Sequence, residues 1–514
     1  MSSTRPHSKQ QARRLLTAIA VLILGLTGQA RAEGAGDWFE RVKSEATPDQ
    51  LYRFLYAMPK GGDLHNHITG SVHSEWYLEE ALAAAQYGYR YFTKVRINNC
   101  RYTRGEGPVS YFLLYRNITA AQHAALDACE QAEYKPLTEL AGDERVRWLN
   151  SIRLDKAYEG RNEFFETHWQ RIDALGANPY LVAEILVRNM KAFGAEGLSY
   201  LEAQVPVFGF QTPSGESIEP QAVIDLYTER LEEADALESG VTVRLQVSLL
   251  RFLPNAEQQL EVLYRLAAAN DLLVAVNMVG REDNDKGYPL RFLKTLRSLR
   301  QRLHGVRLSI HAGEVDEPNE HVRDTLLLGA DRIGHGVNLI TDPDTLLLFR
   351  HGPYLVEINL ISNLLLEYVQ QYSQHPFPEY LRIGVPVALS TDDRGMWDST
   401  MTDEFYVAVT EFNLSWEEVK QLSRNSLSYS FLEEPVKAAV LDSWTKRIER
   451  FETLAASQGV DAFAGVEPQY RGFICRRYKI CAPPDDTAAS RTAVESAVSA
   501  ETEAPAETSG AKAS

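Results

Sequence analysis

The feature that most constrains the fold is a repeated alternation of short apolar runs and amphipathic helical stretches between residues 58 and 393. From the second run onward, the starts lie 22 to 42 residues apart, close to the length of one β-α-β unit. Eight such units close into a barrel, so we predict an α/β fold, a (β/α)8 TIM barrel with its site at the C-terminal strand ends. The candidate strands are residues 62–67, 199–207, 241–250, 272–279, 306–311, 332–335, 354–361 and 386–391.

A long insertion interrupts this rhythm after the first strand, where about 130 residues precede the second. Residues 148–197 have the i, i+3, i+4 apolar spacing that predicts helices. Residues 88–135 are predicted to form an inserted subdomain that carries Cys100 and Cys129. After the last strand, we predict helices at 403–412 and 416–432, the second opened by a capping box at Ser415.

The two ends of the chain are predicted to lie outside the barrel domain of residues 33–482. Residues 1–32 combine basic residues, 14 apolar residues and the cleavage pattern Ala30-Arg31-Ala32, as secretory signal peptides do. An apolar stretch of this length is too short to cross a bilayer, so we expect no stable membrane anchor. We therefore predict export to the periplasm or the extracellular space. Residues 483–514 lack aromatic residues and are predicted to be a disordered tail.

The four cysteines fall into two pairs that are close in sequence, Cys100 with Cys129 and Cys475 with Cys481. In an exported protein we expect two local disulfides. Free buried thiols are the alternative, which export disfavours.

The charge of the chain excludes one class of partner. A formal net charge of −17 argues against nucleic acid or an anionic membrane surface as the main partner. A small neutral or cationic ligand is the better expectation.

Ionisable residues follow four of the predicted strands, where a barrel of this kind has its active site. Side chains alternate along a strand, so His65 and His67 point the same way, into the barrel mouth. Histidines and carboxylates that converge from separate strands suit a divalent metal of the zinc kind. Each motif alone has an ordinary explanation, such as strand histidines without a metal or an aspartate that caps a helix. The residues concerned are His65, His67, His311, Glu314, His335, Asp392 and Asp393.

In this combination the chain resembles the adenosine deaminase family of metal-dependent amidohydrolases, over roughly residues 52 to 435. The resemblance rests on five motifs in the family's order: MPKGGDLHNHITG (58–70), MVGRED (278–283), HAGE (311–314), RIGHG (332–336) and LSTDD (389–393). It is nearest to the secreted branch, the adenosine deaminase-related growth factors. The export signal, the cysteine-bearing insertion and the run NSLSYSFL at 425–432 indicate that branch.

The resemblance implies hydrolytic deamination of adenosine or 2′-deoxyadenosine, with one Zn²⁺ per chain that activates a water at neutral pH. It implies that Glu314 protonates the purine ring at N1 and that His335 orients the attacking hydroxide. Asp393 would meet N7, and the backbone amide of Gly280 would meet N3. The implied metal ligands are His65, His67, His311 and Asp392.

Two departures from the family pattern leave the substrate open. Thr69 stands where the housekeeping enzymes have an acid that meets the ribose, so sugar recognition is expected elsewhere. Arg394 stands where a proline is usual; we expect it to be a solvated residue at a helix start. If Arg394 faces the pocket instead, it favours a phosphorylated or carboxylated substrate.

Three functions therefore stay under consideration. The first is the deaminase of adenosine and 2′-deoxyadenosine. The second is a related deaminase of adenine, an adenine nucleotide or an N6-modified purine, and the third is a non-catalytic extracellular nucleoside-binding or signalling protein. The expected partner is a small purine nucleoside, with no nucleic acid, and a homodimer is left open.

Overall fold

The eight predicted strands form one parallel sheet in the computed structural model, which describes residues 37–100, 112–284 and 286–481. The predicted barrel fold is confirmed, and each strand lies within a few residues of its predicted bounds. The predicted signal peptide and tail lie outside the described residues. Numbered along the chain, the barrel strands are β1 Gly61–His67, β5 Leu198–Val205, β6 Thr242–Leu250, β7 Leu273–Val279, β8 Arg307–Ala312, β9 Arg332–His335, β10 Leu355–Ile358 and β11 Val387–Leu389.

The barrel closes where its first strand meets its last. The sheet order runs from β1 through β5 to β11, and Asn66 forms a parallel bridge with Asp392. The amide of Asp392 donates to the carbonyl of His65 at 2.9 Å, and the amide of His67 donates to the carbonyl of Asp392 at 3.2 Å. The seam of the barrel therefore runs through three of the predicted metal ligands.

The barrel interior holds an ionic network as well as apolar side chains. Arg332 is buried and donates from Nε to Glu357 Oε1 at 2.6 Å, and its Nη2 donates to Glu202. Gln246 donates to Glu202 at 2.9 Å. Buried charges are tolerated where they are paired and hydrogen-bonded, as these are. The network lies directly beneath the strand ends that carry the candidate site.

Helices pack around the barrel. The helices that the sequence predicts at 148–197, 403–412 and 416–432 are present with shifted ends, and Ser415 and Glu418 form the predicted capping box. In the described part of the chain, no helix is both long and apolar enough to cross a membrane. The α-helices are Asp37–Glu45, Pro48–Ala57, Ser74–Ala83, Ala120–Ala124, Ala128–Gln131, Gly142–Ile152, Arg161–Glu163, Trp169–Gly176, Pro179–Ala195, Pro220–Leu231, Ala234–Leu237, Ala256–Ala269, Leu293–Arg300, His321–Leu328, Pro343–His351, Leu360–Leu365, Phe377–Ile383, Arg394–Trp397, Met401–Phe412, Trp416–Ser428, Glu434–Gln458 and Gly472–Tyr478.

The inserted segment contains a small antiparallel sheet. Its strand β2 (Tyr91–Lys94) lies between β3 (Asn117–Thr119) and β4 (Tyr134–Pro136). Asn117 fastens this sheet to the neighbouring helices, because it accepts from Trp148 Nε1 at 3.0 Å and donates to the carbonyl of Arg171 at 2.6 Å. The sheet is therefore held against the helices that precede β5.

Both predicted disulfides are confirmed. Cys100 is bonded to Cys129, and Cys475 is bonded to Cys481. The first cross-links the inserted segment, and the second closes a short loop at the last helix.

Loss of the Cys100–Cys129 disulfide is expected to destabilise the protein more than loss of the Cys475–Cys481 disulfide. The sequence separations are 29 and 6 residues, and a cross-link over a longer loop restricts the unfolded chain more. For Cys100→Ser with Cys129→Ser we expect a loss of about 2–4 kcal/mol in the free energy of unfolding. Urea unfolding followed by tryptophan fluorescence measures both double variants, the second serving as the matched control. Equal losses, or the reverse order, would contradict this account.

Candidate active site

The predicted site residues meet at one cavity of about 710 Å³ at the C-terminal ends of the strands. The cavity is lined by His67, Gly280, His311, Glu314, Asp392 and Asp393, together with residues of the insertion. His65 and His335 are fully buried directly behind these residues. Every residue that the sequence singles out for chemistry is therefore in the same place.

Four of these side chains form a cluster that could hold a metal ion. One ligand atom from each of His65, His67, His311 and Asp392 lies within 4.8 Å of the others. His67 Nε2 is 3.2 Å from Asp392 Oδ1 and 3.1 Å from His311 Nε2. Three imidazole nitrogens and one carboxylate oxygen are a donor set that suits Zn²⁺.

The protonation states of the cluster test whether a cation fits. His65 Nε2 is buried, makes no hydrogen bond and lies 3.4 Å from Asp392 Oδ1, so it is a lone donor atom facing the centre. Burial disfavours the charged form of His65, but the carboxylates of Asp392 and Glu357 raise its pKa to about 10. Burial, together with neighbouring histidines, holds the pKa of His311 well below its usual value. The carboxylates thus favour positive charge at His65, whereas His311 stays neutral. A divalent cation that takes the place of the His65 proton would satisfy both conditions, so a metal ion fits the cluster.

Two polar residues hold the metal-facing imidazoles from behind. His65 Nδ1 is 2.8 Å from Glu357 Oε2, and His311 Nδ1 is 2.9 Å from Asn277 Oδ1. Both partners accept, so each histidine carries a proton on Nδ1 and directs its Nε2 towards the cluster. Such contacts fix ring orientation and raise ligand basicity.

Glu314 is held by Glu282 through the backbone. Glu282 accepts from the amides of Gly313 at 3.1 Å and Glu314 at 3.0 Å, and its Oε2 is 2.9 Å from His321 Nδ1. Burial, with the carboxylates of Asp392 and Glu282, raises the pKa of Glu314 well above its usual range. The shift favours the acid form of Glu314, which can donate a proton.

His335 has its tautomer fixed by a chain of hydrogen bonds. The amide of Phe377 donates to His375 Nδ1 at 3.1 Å, so His375 donates from Nε2 to Asn363 Oδ1 at 3.0 Å. Asn363 then donates from Nδ2 to His335 Nδ1 at 2.9 Å. The His335 proton is consequently on Nε2, which lies 3.7 Å from Glu314 Oε1. Burial lowers the pKa of His335 to about 3, so the ring is neutral.

The backbone is unusual at the same positions. His335 has φ 69° and Asp392 has φ 55°, a region that side chains other than glycine rarely adopt. Gly334 has no room for a side chain, because a Cβ there would lie 2.5 Å from His65 Cε1. Backbone strain of this kind is concentrated at functional sites.

Asp393 and Gly280 lie on the cavity wall as predicted. Asp393 is 2% exposed and its Oδ1 has no hydrogen-bond partner. Gly280 has φ 102°, and a Cβ there would lie 2.7 Å from Phe252 Cε1. Both can meet a ligand, Asp393 with a free oxygen and Gly280 with close backbone approach.

Arg394 stands at a helix start as expected, but the expectation that it is solvated is wrong, and it does not line the cavity either. Its side chain is fully buried, donates from Nη1 to Glu196 Oε1 at 2.9 Å and bonds Asn189 through Nε and Nη2. Its guanidinium lies over the Phe193 ring at 3.7 Å. The buried Glu196 carboxylate requires a positive partner, and Arg394 supplies it.

The sequence analysis does not identify the residues whose hydrogen bonds orient the site residues. Glu357 and Asn277 are polar positions inside apolar strand runs, and that contrast is the signal that could have found them. His321 and His375, to which the sequence assigns no role, contact Glu282 and Asn363. Nothing in their local sequence indicates these contacts.

Comparison with known proteins shows that this chain is similar to purine deaminases in sequence and in fold. Residues 144–447 match the family described as Adenosine deaminase. An Adenosine deaminase of Clostridium acetobutylicum is 26% identical over 294 residues, 57% of this chain and 84% of that protein. The N6-Methyl-AMP deaminase-L of Xenopus laevis is 28% identical over 260 residues, 50% of this chain and 72% of that protein. Among solved structures, the adenine deaminase of Arthrobacter aurescens has a TM-score of 0.56 at 20% identity, covering 76% of this chain and 99% of that one, and shares the fold.

Replacement of Glu357 by glutamine is expected to weaken zinc binding about 10- to 100-fold, because His65 loses the carboxylate behind it. Glu202→Gln is the matched control, since Glu202 is the other carboxylate partner of Arg332 and does not contact His65. Competition with a zinc chelator measures both affinities. Equal losses in the two variants would show that the effect comes from Arg332 rather than from His65.

Proposed function

The chain belongs to the adenosine deaminase family, and from that premise we propose that it hydrolyses adenosine and 2′-deoxyadenosine to inosine and 2′-deoxyinosine with release of ammonia. The observation that carries the proposal is the cluster of His65, His67, His311 and Asp392 at the cavity that Glu314, a buried carboxyl group with a raised pKa, also lines. We propose Zn²⁺ as the metal; when bound, it supplies a water activated at neutral pH.

Glu314 is the proposed proton donor. As oxygen adds to C6 of the purine, the carboxyl proton moves to N1, so that no negative charge accumulates on the ring. The carboxylate takes up the first proton of the added water, which restores the acid. It then passes that proton to the amino group and accepts the second proton from the same oxygen, so that Glu314 ends in its starting form. The C6–N bond breaks and ammonia leaves. The raised pKa of Glu314 suits the first step, which needs the acid form at neutral pH.

The remaining site residues bind and orient the substrate. Neutral His335 carries its proton on Nε2 beside Glu314, so it can donate a hydrogen bond to the attacking oxygen. Burial, with Asp392 nearby, raises the pKa of Asp393 well above its usual range, so its carboxyl can donate to N7. The amide of Gly280 is proposed to meet N3.

Two observations support the alternative substrates, which are adenine, an adenine nucleotide and an N6-modified purine. Arg116 of the inserted segment lines the cavity, and a guanidinium there favours an adenine nucleotide or an N6-modified nucleotide. The sequence relatives that match this chain include proteins named as adenine deaminase and N6-methyl-AMP deaminase. A non-catalytic binding protein is disfavoured, because it would have no need of a protonated acid beside a metal cluster.

We further propose that the protein belongs to the secreted branch of the family and is exported to the periplasm or beyond. What supports export is the pairing of all four cysteines in disulfides, which persist in oxidising compartments. A homodimer stays a prediction.

The test of substrate is a parallel assay of the zinc-loaded protein with adenosine, 2′-deoxyadenosine, adenine, AMP and N6-methyl-AMP. We expect the two nucleosides to be turned over fastest, as measured by the change in ultraviolet absorbance when the 6-substituent is lost. Faster turnover of AMP or N6-methyl-AMP would support the nucleotide alternative. No turnover of any of the five, with zinc confirmed as bound, would refute the deaminase proposal.

Glu314→Gln is expected to retain zinc and to lose turnover by at least about 100-fold, because the amide cannot donate and recover a proton. Glu317→Gln is the matched control, since Glu317 is an exposed glutamate three residues further along the chain. Zinc content and kcat are measured for both. Turnover close to wild type in Glu314→Gln would refute the assignment of the acid.

A further inference from the structure

Gln204 is a buried amide without a hydrogen-bond partner beside the metal cluster. It is 1% exposed, and neither Oε1 nor Nε2 makes a hydrogen bond. It lies near the end of β5, in register with His67 of β1, and it lines the cavity. An unsatisfied buried amide destabilises the protein unless a ligand satisfies it. We therefore expect a bound molecule to place a polar group within hydrogen-bond distance of the Gln204 amide.

Asp173 stands on another wall of the same cavity. It belongs to the helix Trp169–Gly176, and it is open to the cavity rather than paired in any ion pair of the described residues. The same helix passes close to Thr69, since a Cβ added at Gly176 would lie 3.7 Å from Thr69 Cγ2. Asp173 thus lies one helical turn from the point where the helix approaches Thr69, the residue after β1 that stands in place of an acid.

The chemistry of these two side chains fits hydroxyl groups. A primary amide offers two donors and an acceptor, and a carboxylate accepts, so hydroxyl groups, which both donate and accept, satisfy both. In the proposed function, on which this inference rests, the ring atoms N1, N3 and N7 already have partners. The group that Gln204 and Asp173 meet is then a substituent on the purine.

Arg116 does not turn this region into a phosphate site. Among the described residues that line the cavity, it is the only lysine or arginine. Burial raises the pKa of Asp173, and the nearby Arg116 guanidinium opposes that rise. The same lining holds four acidic residues, Asp173, Glu314, Asp392 and Asp393, so the cavity as a whole disfavours a doubly charged phosphate.

We infer that Gln204 and Asp173 form a binding site for the sugar hydroxyls of a purine nucleoside. This site replaces the acid that Thr69 lacks, and it selects a neutral nucleoside over a free base or a nucleotide.

The decisive variants are Gln204→Met, which keeps the size of the side chain and removes its polar atoms, and Asp173→Asn. For each we expect kcat/KM for adenosine to fall about tenfold, mainly through KM, while kcat/KM for adenine changes less than about twofold. The matched controls are Gln170→Met and Glu166→Gln. Both residues lie in the same helical region and neither lines the cavity. Zinc content is measured for every variant, so that a damaged metal site is recognised.

A binding measurement separates this inference from the proposed function. By calorimetry on the zinc-loaded protein, inosine is expected to bind at least tenfold more tightly than hypoxanthine, and Gln204→Met should remove most of that difference. Equal affinity of the two in wild type, equal losses for adenosine and adenine, or a preference for AMP would overturn the sugar site. If no purine is turned over but the inosine preference is present and depends on Gln204, the proposed reaction fails and the sugar site stands.

Discussion

The pairing of His65 with Asp392 is the interaction on which the rest of the structure depends. Their backbones close the barrel between β1 and β11, and their side chains meet at the centre of the metal cluster. Barrel closure and assembly of the site are thus the same event. Because the strand ends are fixed by the parallel ladder, the ligand atoms are positioned by the fold itself rather than by mobile loops.

Charge in the barrel interior explains how this cluster is held. The buried Arg332 guanidinium is shared between Glu202 and Glu357, and Glu357 also accepts from His65 and from Ser309 Oγ at 2.9 Å. Two buried carboxylates against one guanidinium leave a deficit of positive charge on the side of His65. Asp392 adds a further carboxylate on the opposite side. A divalent cation among the histidines would balance these charges, and it would thereby couple the interior network to the metal cluster.

The strands and the ligands could be predicted from the sequence because both are local signals. A buried strand is a short apolar run, and a ligand such as His311 stands directly at the end of one. Arg394 could not be predicted, since its environment is set by Glu196, which lies about 200 residues earlier in the chain and becomes a neighbour only when the barrel closes. The tautomer of His335 is equally non-local, because it depends on a chain of contacts through Asn363 to His375.

The inserted segment shows why ligand specificity could not be predicted from the sequence around single residues. Nothing in the residues around Asp173 or Arg116 indicates a cavity. The cavity wall forms where the small sheet is held against the helices that precede β5, in part by Asn117. The disulfide at Cys100 restricts the same segment. The barrel thus supplies the candidate metal ligands and Glu314 from rigid strand ends, whereas the outer wall comes from an inserted segment that can differ without disturbing them. In such an arrangement, a change of ligand does not require a change in the catalytic groups, because the two sets of residues lie on different parts of the chain.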